Sequence, residues 1–378
     1  MAVSALQRRA REARYWLMDA CFPLWSEAGA NKQLFLERLD LSHKPVDSEL
    51  TRVRVQARQT YLFSLAKRMK WNPERAQQLI DLGVAALSGP ARREDGLVGK
   101  LLASDTAELK DDSAVLYDLA FTLYALAEVA QAGPTSPDAI KVSKEILSAL
   151  DTHMKDIAHG GYAETLPPPP QRLQNPHMHL FEACLALNEA DPTGNHLTRA
   201  GEIHSLFLEK FTHDPSGLLG ERFKPDWSAE DGDAHDIIEP GHQFEWVWLL
   251  HTYAKRTQTE PPAAMNVLYE FACGTLDSDG RAIMEVRRDG TPVDSSRRTW
   301  SQTEALKAHL AMAERGDGEA AARAVTSFDV LMDEYLTPEG GWIDHYDGEG
   351  QVIAKDMPAS TGYHVALAFE ELIRLYGE

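Results

Sequence analysis

Cysteine is rare in this 378-residue chain, and its three copies, Cys21, Cys184 and Cys273, are far apart in the sequence. None has the spacing of a metal-binding pair, and scattered thiols predict reduced side chains in a cytosolic protein. Basic residues are also few, since 38 lysines and arginines stand against 58 acidic residues, for a formal charge of -20. This balance argues against nucleic acid and against an anionic membrane surface as partner.

Long apolar segments are absent as well. No run of 18 apolar residues occurs, which predicts that the chain does not span a membrane. The opening segment MAVSALQRRAREARYW is basic, but the apolar part of a secretory signal does not follow it. We therefore expect a cytoplasmic protein. With 43% apolar residues, the chain has enough apolar side chains to bury a large core.

Short glycine-containing turns recur along the whole chain. The segments GRAIMEVRRDG and GGWIDHYDGEG each predict a β-hairpin that turns at Asp-Gly, and GLVGKLLASD, GGYAETL and GLLGERFKPDW are weaker relatives. The spacings between their anchor glycines are 65, 56, 63 and 61 residues, and one more period back reaches Gly29. The anchors are Gly96, Gly161, Gly217, Gly280 and Gly341. The pattern indicates six units of similar length.

Each unit is expected to contain two helices around its hairpin. Segments before the hairpin, such as PERAQQLIDLGVAAL, have apolar residues at every third or fourth position, as in an outer amphipathic helix. Segments after it, such as LYDLAFTLYALAEVA, are apolar nearly all round, as in a buried helix. The sequence therefore predicts an all-α fold, an (α/α)6 toroid with short β-hairpins in its loops, as a single domain over residues 1–378. The segment LPPPPQRLQNP predicts a stiff loop over one end of the ring.

Polar residues occur near the start of every predicted inner helix. In a toroid these helices begin at one rim, so their first polar side chains would face a common pocket. In chain order they are Arg58, Asp118, His179 with Glu182, His242 with Glu245, Gln302 with Glu304, and His364. The aromatic residues nearby are Tyr61, Tyr117, Trp246, Trp300 and Tyr363. Aromatic walls with a few converging polar groups favour a small-molecule pocket, and sugars present apolar C–H faces to such rings.

Taken singly, these residues also have structural explanations. A lone histidine on an apolar helix, such as His179 or His364, is usually a satisfied core residue, Arg58 can pair with a core carboxylate, and Trp246 and Trp248 can simply pack. Polar groups at matching positions in all six units favour the functional interpretation. The two His-x-x-Glu pairs do not predict a metal site, because Arg58 would occupy the same space. We expect no metal and no other cofactor.

Four motifs carry a resemblance to a known family: VQARQTY, NPHMHLFEA, PGHQFEW and a late GYH. Through these motifs, of which PGHQFEW is the most specific, nearly the whole sequence resembles the N-acylglucosamine 2-epimerase superfamily. The resemblance implies an (α/α)6 enzyme acting on a small-molecule sugar, as N-acylglucosamine, cellobiose and mannose 2-epimerases and mannose-type aldose–ketose isomerases do. The ending KDMPASTGYHVALAF departs from the cellobiose 2-epimerase pattern, which argues against disaccharide binding.

The resemblance also implies roles for single residues. Arg58, His242 and His364 match the arginine and the two histidines that act on the sugar, and Glu245 matches the carboxylate partner of His242. His179 matches a histidine of the isomerases and of the cellobiose and mannose epimerases, where N-acylglucosamine epimerases usually have an apolar residue. The expected substrate-binding residues are His179, Glu182, Asp118, Tyr61, Asn175, Trp300, Gln302 and Trp246.

The expected reaction is the conversion of mannose to fructose through an enediolate. A histidine is the natural base near neutral pH for the proton on C2 of an aldose, and an arginine suits the negative charge that develops on the carbonyl oxygen. No acidic residue is within one helical turn of His364, so we expect it to be the neutral base and His242 the acid. Return of the proton to C2 from the opposite face would instead give a 2-epimerase, and the sequence leaves both outcomes open.

Two other classes of protein remain as alternatives. A glycoside hydrolase on the same fold would use two carboxylates, Asp118 and Glu182, and would leave the histidines without a role. A sugar-binding module would not require Arg58, His242 and His364 together. The sequence does not favour a phosphorylated sugar, and subunit number, including a homodimer, stays open.

Overall fold

The structure is a computed structural model that describes residues 2–135 and 137–377. Six inner helices follow one another around a ring, and the last of them packs against the first. They are α3 (Val53–Arg68), α5 (Leu116–Ala132), α7 (Asn175–Ala190), α10 (Pro240–Thr257), α12 (Thr299–Glu314) and α14 (Gly362–Tyr376). Closure of this ring confirms the toroid that the repeat predicts.

Six outer helical segments alternate with the inner helices along the chain. They are α1 (Ala2–Tyr15), which continues through a π-helical turn into α2 (Phe22–Ala28), then α4 (Pro73–Ser88), α6 (Ala139–His153), α8 (His196–Leu206), α11 (Ala264–Gly274) and α13 (Gly318–Val330). The short α9 (Asp233–Asp236) lies in a loop. Nowhere in the described ranges is a helix both long and apolar enough to cross a membrane.

Burial separates the two sets of helices as the sequence pattern predicts. Almost every residue of α5 between Leu116 and Val129 is buried, whereas α6 buries Ala139, Val142, Ile146 and Leu150 along one face. This difference follows from the apolar pattern, because an all-round apolar helix needs neighbours on every side and an amphipathic one only on its inner face. Most buried apolar side chains form one hydrophobic core that runs around the ring, and Leu218, Ile238, Ile283 and Val286 form a second, small cluster.

Twelve short strands lie in the connecting loops of the described chain. They are β1 (Arg38–Asp40), β2 (Leu50–Arg52), β3 (Leu101–Ala103), β4 (Leu109–Asp111), β5 (Arg172–Leu173), β6 (Arg222–Phe223), β7 (Ile237–Ile238), β8 (Glu285–Arg287), β9 (Pro292–Asp294), β10 (Arg297–Arg298), β11 (His345–Tyr346) and β12 (Asp356–Pro358). The antiparallel sheets are β2-β3-β4, β5-β6, β7-β8-β9, β10-β11 and β1-β12. The predicted hairpin at Asp289-Gly290 is the turn between β8 and β9.

These strand pairs join the loops that precede neighbouring inner helices. The pairs β2-β3, β5-β6, β7-β8 and β10-β11 each link consecutive units, and the bridge between Val115 and Thr165 links the loops before α5 and α7. The pair β1-β12 joins the last unit to the first. The loops are therefore fastened to one another all round the rim at which the inner helices begin, and this fixes the helix starts relative to each other.

Candidate active site

A cavity of about 270 Å³ opens at the rim where the inner helices start. Every inner helix contributes at least one side chain to its wall from its first two turns. One from each helix, in chain order, is Arg58, Tyr117, His179, His242, Trp300 and His364. Of the predicted polar residues, Arg58, His179, His242, Glu245 and His364 thus meet in one pocket. Helices α5 and α12 contribute Tyr117 and Trp300 instead of Asp118, Gln302 and Glu304.

Packing against Trp300 explains the glycine of the PGHQFEW motif. A Cβ atom on Gly241 would be 2.5 Å from the indole ring of Trp300, a distance that real Cβ atoms do not adopt. Trp300 uses this space to pack its ring 5.1 Å from that of His242 and 6.1 Å from that of His364, measured between centroids. The indole therefore lies against both histidines and sets the width of the pocket between them.

His242 is held as an imidazolium by carboxylates from its own loop and from the preceding hairpin. Its Nδ1 is 2.9 Å from Glu221 Oε2 and 3.7 Å from Glu239 Oε2. Burial alone would lower the pKa of His242, but Glu239 and Glu221 outweigh burial and raise this pKa to about 10. The expectation that Glu245 is the direct partner of His242 is wrong: Glu245 also raises this pKa, but by less than Glu239 and Glu221, and its Oε1 lies 3.8 Å from Nδ1 of His179.

Asn175 lies 3.2 Å from the second ring nitrogen of His242, through Nδ2 of its amide. A protonated imidazole donates from both nitrogens, so it requires an acceptor at this position. Rotating the Asn175 amide by half a turn places Oδ1 at this position as the acceptor. The rotation also gives a partner to Oδ1, which is otherwise buried without a hydrogen bond. We infer that Asn175 accepts from Nε2–H of His242, which agrees with the raised pKa.

His364 is in the opposite electrostatic environment. Its Nδ1 is 2.8 Å from Oε1 of Glu304 on the neighbouring helix α12, so an N–H here donates to that carboxylate. Burial, reinforced by the positive charges of Arg58 and Lys307, holds the pKa of His364 well below its usual range. A neutral ring with its proton on Nδ1 leaves the Nε2 lone pair able to accept a proton. Glu304 was not anticipated as its partner, because it belongs to another unit.

Arg58 supplies a positive charge that no carboxylate within the described residues neutralises. Its Nη2 donates to the Tyr117 hydroxyl at 2.7 Å and its Nη1 donates to the carbonyl of Ser360 at 3.2 Å. Its guanidinium group lies 4.0 Å from the ring centre of Phe121. The aromatic face and two neutral acceptors hold the side chain in place, and its charge remains available to an anion in the cavity.

The three other arginines of the cavity wall each have a carboxylate partner. Ion pairs join Arg52 to Glu37, Arg54 to Asp118, and Arg298 to Asp344. Asp118 is therefore a support for Arg54, and its own side chain does not line the cavity. Glu37 and Asp344 have no motif that would have marked them in the sequence.

His179 is a neutral part of the cavity wall. Burial lowers its pKa to about 4, against the opposing effect of Glu182, whose Oε2 is 3.1 Å from Nδ1. Its ring packs edge-on against Tyr117, with centroids 4.9 Å apart, and at a tilt against Phe121, with centroids 4.5 Å apart. Glu182 lies below the cavity, where it also accepts from the Tyr363 hydroxyl, so it supports His179 rather than facing a ligand.

Like Asp118 and Glu182, three more of the expected substrate-binding residues do not line the cavity: Tyr61, Trp246 and Gln302. Tyr61 is one turn beyond Arg58 and donates to Glu370 Oε2 at 2.8 Å, near the opposite rim. The indole of Trp246 is buried and donates to Gln174 at 2.8 Å. Gln302 accepts from the backbone of Ala282 at 2.9 Å and fastens the loop before α12. The polar group of each residue is hydrogen-bonded inside the protein, as a buried polar group requires, so each residue has a structural role.

Two groups of side chains have the donor types of a metal site: His179, Glu182 and Glu245, and Glu221, Glu239 and His242. The first group lies beside the ammonium group of Lys307, which interacts with both of its carboxylates. In the second group Glu239 and Glu221 favour a proton on His242, and a metal ion would have to displace that proton. These charges support the expectation that no metal is required, which stays a prediction.

Replacing Glu221 by glutamine should lower the pKa of His242 by removing the carboxylate nearest to Nδ1. Because this pKa is raised in the folded state, His242 stabilises the protein most fully at pH values below the ordinary histidine pKa of about 6.5, and that stabilisation is lost as the pH rises through about 10. Glu221→Gln should therefore reduce the melting temperature at neutral pH more than at pH 10. NMR titration of the histidines measures the pKa, with Glu245→Gln as matched control, and an equal shift in both variants would contradict the assignment.

The cavity thus combines a histidine whose carboxylate neighbours favour its protonated form, a histidine that burial keeps neutral and an unpaired arginine, and these groups are suited to acid–base chemistry on a small polar molecule. The family model for N-acylglucosamine 2-epimerase (GlcNAc 2-epimerase) matches residues 35–368. The chain belongs to this family and is a carbohydrate isomerase or epimerase.

Several known proteins are similar to this chain over most of its length. It is 32% identical over 379 residues to the mannose-6-phosphate isomerase of Rhizobium meliloti (strain 1021), with 96% of each protein covered. It is 27% identical over 334 residues to the D-mannose isomerase of Thermobifida fusca, covering 82% of this chain and 80% of that protein. The solved cellobiose 2-epimerase from Spirochaeta thermophila DSM 6192 has the same fold, with a TM-score of 0.87 at 23% identity over 98% of this chain and 96% of that one.

Proposed function

We propose that this enzyme is an aldose–ketose isomerase that interconverts mannose and fructose. The observation that carries the proposal is that two histidines face one cavity from opposite electrostatic surroundings, with Glu221 and Glu239 beside His242 and the charges of Arg58 and Lys307 acting on His364. His242 has a proton to give at neutral pH, and His364 has a lone pair to accept one. When their environments raise the pKa of one titratable group and lower that of the other, the first group can be assigned as the acid of a reaction and the second as the base.

The reaction begins with ring opening, in which His242 gives a proton to the ring oxygen as its bond to C1 breaks, and the C1 hydroxyl releases its proton to water as the C1 carbonyl forms. His364 Nε2 then removes the proton from C2, and the electrons of the C–H bond form the C1–C2 double bond while negative charge moves to O1. Arg58 stabilises that charge. Return of the proton from His364 to C1, with transfer of the O2 proton to O1, leaves the carbonyl at C2 and completes the ketose.

The helix starts add to the stabilisation of the enediolate. None of the six inner helices has a side-chain cap on its first turn. The positive ends of their dipoles are directed towards the rim that surrounds the cavity. These dipoles favour negative charge that develops on the substrate. Their effect is larger in the cavity than in bulk water, because water screens charges less in an enclosed space.

A 2-epimerase is the second candidate, and the position of Trp300 favours it. The indole contacts both histidines, so the acid His242 and the base His364 flank the same substrate position. Delivery of a proton by His242 to the face of C2 opposite to His364 would give the epimer. The names of the relatives from Rhizobium meliloti and Thermobifida fusca favour the isomerase, and a hydrolase is disfavoured because Asp118 and Glu182 do not line the cavity.

The charges of the cavity wall favour a sugar without phosphate. Arg52, Arg54 and Arg298 already have carboxylate partners, and the remaining arginine, Arg58, is required at the reacting carbonyl. The relative from Rhizobium meliloti is named for a phosphorylated substrate, so the two forms of mannose must be compared directly. We expect a higher kcat/KM for mannose than for mannose 6-phosphate.

Proton NMR in deuterated water tests these proposals, with protein dialysed against a chelator and offered mannose, mannose 6-phosphate, glucose, fructose or N-acetylmannosamine. The expected result is fructose from mannose, with deuterium at C1 of the fructose to the extent that the proton held by His364 exchanges with solvent before it is returned. Accumulation of glucose labelled at C2 would show a 2-epimerase. Activity that returns only after zinc, iron or manganese is added would overturn metal independence, and preference for mannose 6-phosphate would overturn the assignment of an unphosphorylated sugar.

A further inference from the structure

A lysine lies completely buried beneath the active site, where no sequence pattern marks it. Lys307 is on α12, one turn beyond Glu304, and neither side chain is exposed to solvent. Its Nζ is 2.6 Å from Oε2 of Glu304 and 4.2 Å from the ring centre of Trp248. Transfer of an ammonium group out of water is costly, and a leucine or methionine would fill the same space without that cost. A lysine here therefore calls for a function.

The ammonium group of Lys307 lies among three buried carboxylates, which come from successive inner helices. Glu182, Glu245 and Glu304 come from α7, α10 and α12. Burial would lower the pKa of Lys307, but these carboxylates outweigh burial and raise this pKa above its usual range, so the lysine stays charged. Burial raises the pKa of Glu304, and the neighbouring Lys307 opposes that rise.

The two carboxylate oxygens of Glu304 contact two different partners. Oε2 contacts Lys307, and Oε1 accepts the Nδ1–H of His364 at 2.8 Å. An ionised carboxylate only accepts hydrogen bonds, so it places the imidazole proton on Nδ1 and leaves Nε2 as the base. A protonated carboxyl group offers its own O–H to Nδ1 and thereby moves the imidazole proton to Nε2, where the lone pair is required.

We infer that Lys307 is a positioning residue that holds Glu304 ionised, so that Glu304 keeps His364 in the tautomer with Nε2 free for the substrate. The inference deepens the proposed function and rests on it for its kinetic consequences. Lys307 acts through Glu304 and does not line the cavity. Its loss should therefore affect turnover rather than substrate binding.

Other charged and titratable groups surround Glu304 and His364 and contribute to the same balance. They are Arg58 on α3, His179 and Glu182 on α7, and His242 and Glu245 on α10. Lys307 is the cation among them that contacts Glu304 directly, and Arg58 is directed towards Tyr117 and Ser360. A substitution of Lys307 alone consequently tests whether Glu304 stays ionised, and it leaves the cavity wall intact.

The test replaces Lys307 by methionine, which keeps the length of the side chain and removes its charge. We expect kcat to fall on the order of 100-fold with KM little changed, since a base in the wrong tautomer is lost to catalysis. The acidic limb of the pH profile should move to higher pH, because Glu304 must be ionised in the active tautomer and its pKa rises when Lys307 no longer opposes the effect of burial. Lys307→Arg, which keeps the charge, should retain most of the turnover.

Nitrogen-15 NMR of the histidines gives a readout that does not depend on turnover. Near neutral pH His364 should have its proton on Nδ1 in the wild type and in Lys307→Arg, and on Nε2 in Lys307→Met. A wild type that turns over no sugar would refute the proposed function, and the NMR comparison would still decide the role of Lys307. A folded Lys307→Met with unchanged kcat and an unchanged His364 tautomer would overturn the inference.

A double substitution covers the case in which Lys307→Met alone does not fold. Glu304→Gln with Lys307→Met removes both buried charges together, which proteins usually tolerate better than the loss of one. If Lys307 acts only through Glu304, the double variant should turn over at nearly the rate of Glu304→Gln alone. A further fall of about tenfold or more in the double variant would show an independent action of Lys307 and contradict the inference.

Discussion

Replacing His364 by asparagine should lower the turnover of mannose on the order of 1,000-fold, because loss of a general base costs 100- to 10,000-fold. Asparagine keeps an N–H near the position of Nδ1, so the hydrogen bond to Glu304 can persist while the basic Nε2 is lost. Exchange of the C2 proton with deuterated water should disappear together with product formation. The melting temperature should change little, because the partner of the buried carboxylate is retained.

His309 provides the matched control for this substitution. It is also a buried histidine of an inner helix, it accepts from or donates to the Tyr269 hydroxyl at 2.8 Å through Nδ1, and burial holds its pKa at about 3. It lies outside the cavity wall. His309→Asn should lower stability and leave kcat nearly unchanged. If His364→Asn folds normally and still turns over mannose within about tenfold of the wild type, His364 is not the base.

The two histidines illustrate how position in the ring sets chemistry. His242 and His364 are each the third residue of an inner helix, and both are buried. They differ in their charged neighbours, since Glu221 and Glu239 surround His242, whereas Arg58 and Lys307 act on His364. Their pKa values therefore move in opposite directions, and the acid and the base coexist across the neutral range.

The sequence predicts the fold well because the fold is repetitive. A period of about sixty residues, with an amphipathic segment and an all-apolar segment in each unit, leaves few arrangements that bury every apolar face. The same repeat predicts that the inner helices begin at one rim, and so brings Arg58, His179, His242 and His364 together correctly. What it does not predict is which side of each helix faces the cavity.

Side-chain partners from other units account for the errors in the site. Neighbours along a helix suggested Glu245 for His242, but Glu221 reaches it from a hairpin twenty-one residues away. The segment TEALKAHLAMA gives Lys307 the appearance of a solvent-exposed lysine, although its side chain is completely buried. Sequence separation does not limit such contacts once the strand pairs have fixed the loops, so they become visible only in three dimensions.

Replacing Arg58 by methionine should lower kcat on the order of 100- to 1,000-fold, which is the usual cost of losing one group that stabilises an oxyanion. The enediolate has its charge only after the C2 proton has left, so KM should change much less than kcat. Arg58→Lys should also be slow, because one ammonium group cannot contact both the Tyr117 hydroxyl and the Ser360 carbonyl while it faces the substrate.

Loss of packing must be separated from loss of charge in this test. The guanidinium group lies on Phe121, so Arg58→Met is expected to keep part of that contact, and its melting temperature should be measured beside kcat. Arg52→Met is the matched control, since Arg52 also lines the cavity but is paired with Glu37, and it should retain most of its turnover. Methylguanidine added to Arg58→Ala should restore part of kcat by placing a cation in the vacated space. A stable Arg58→Met with wild-type kcat would show that the enediolate is stabilised by other groups, of which the uncapped helix starts at the rim would be the next to test.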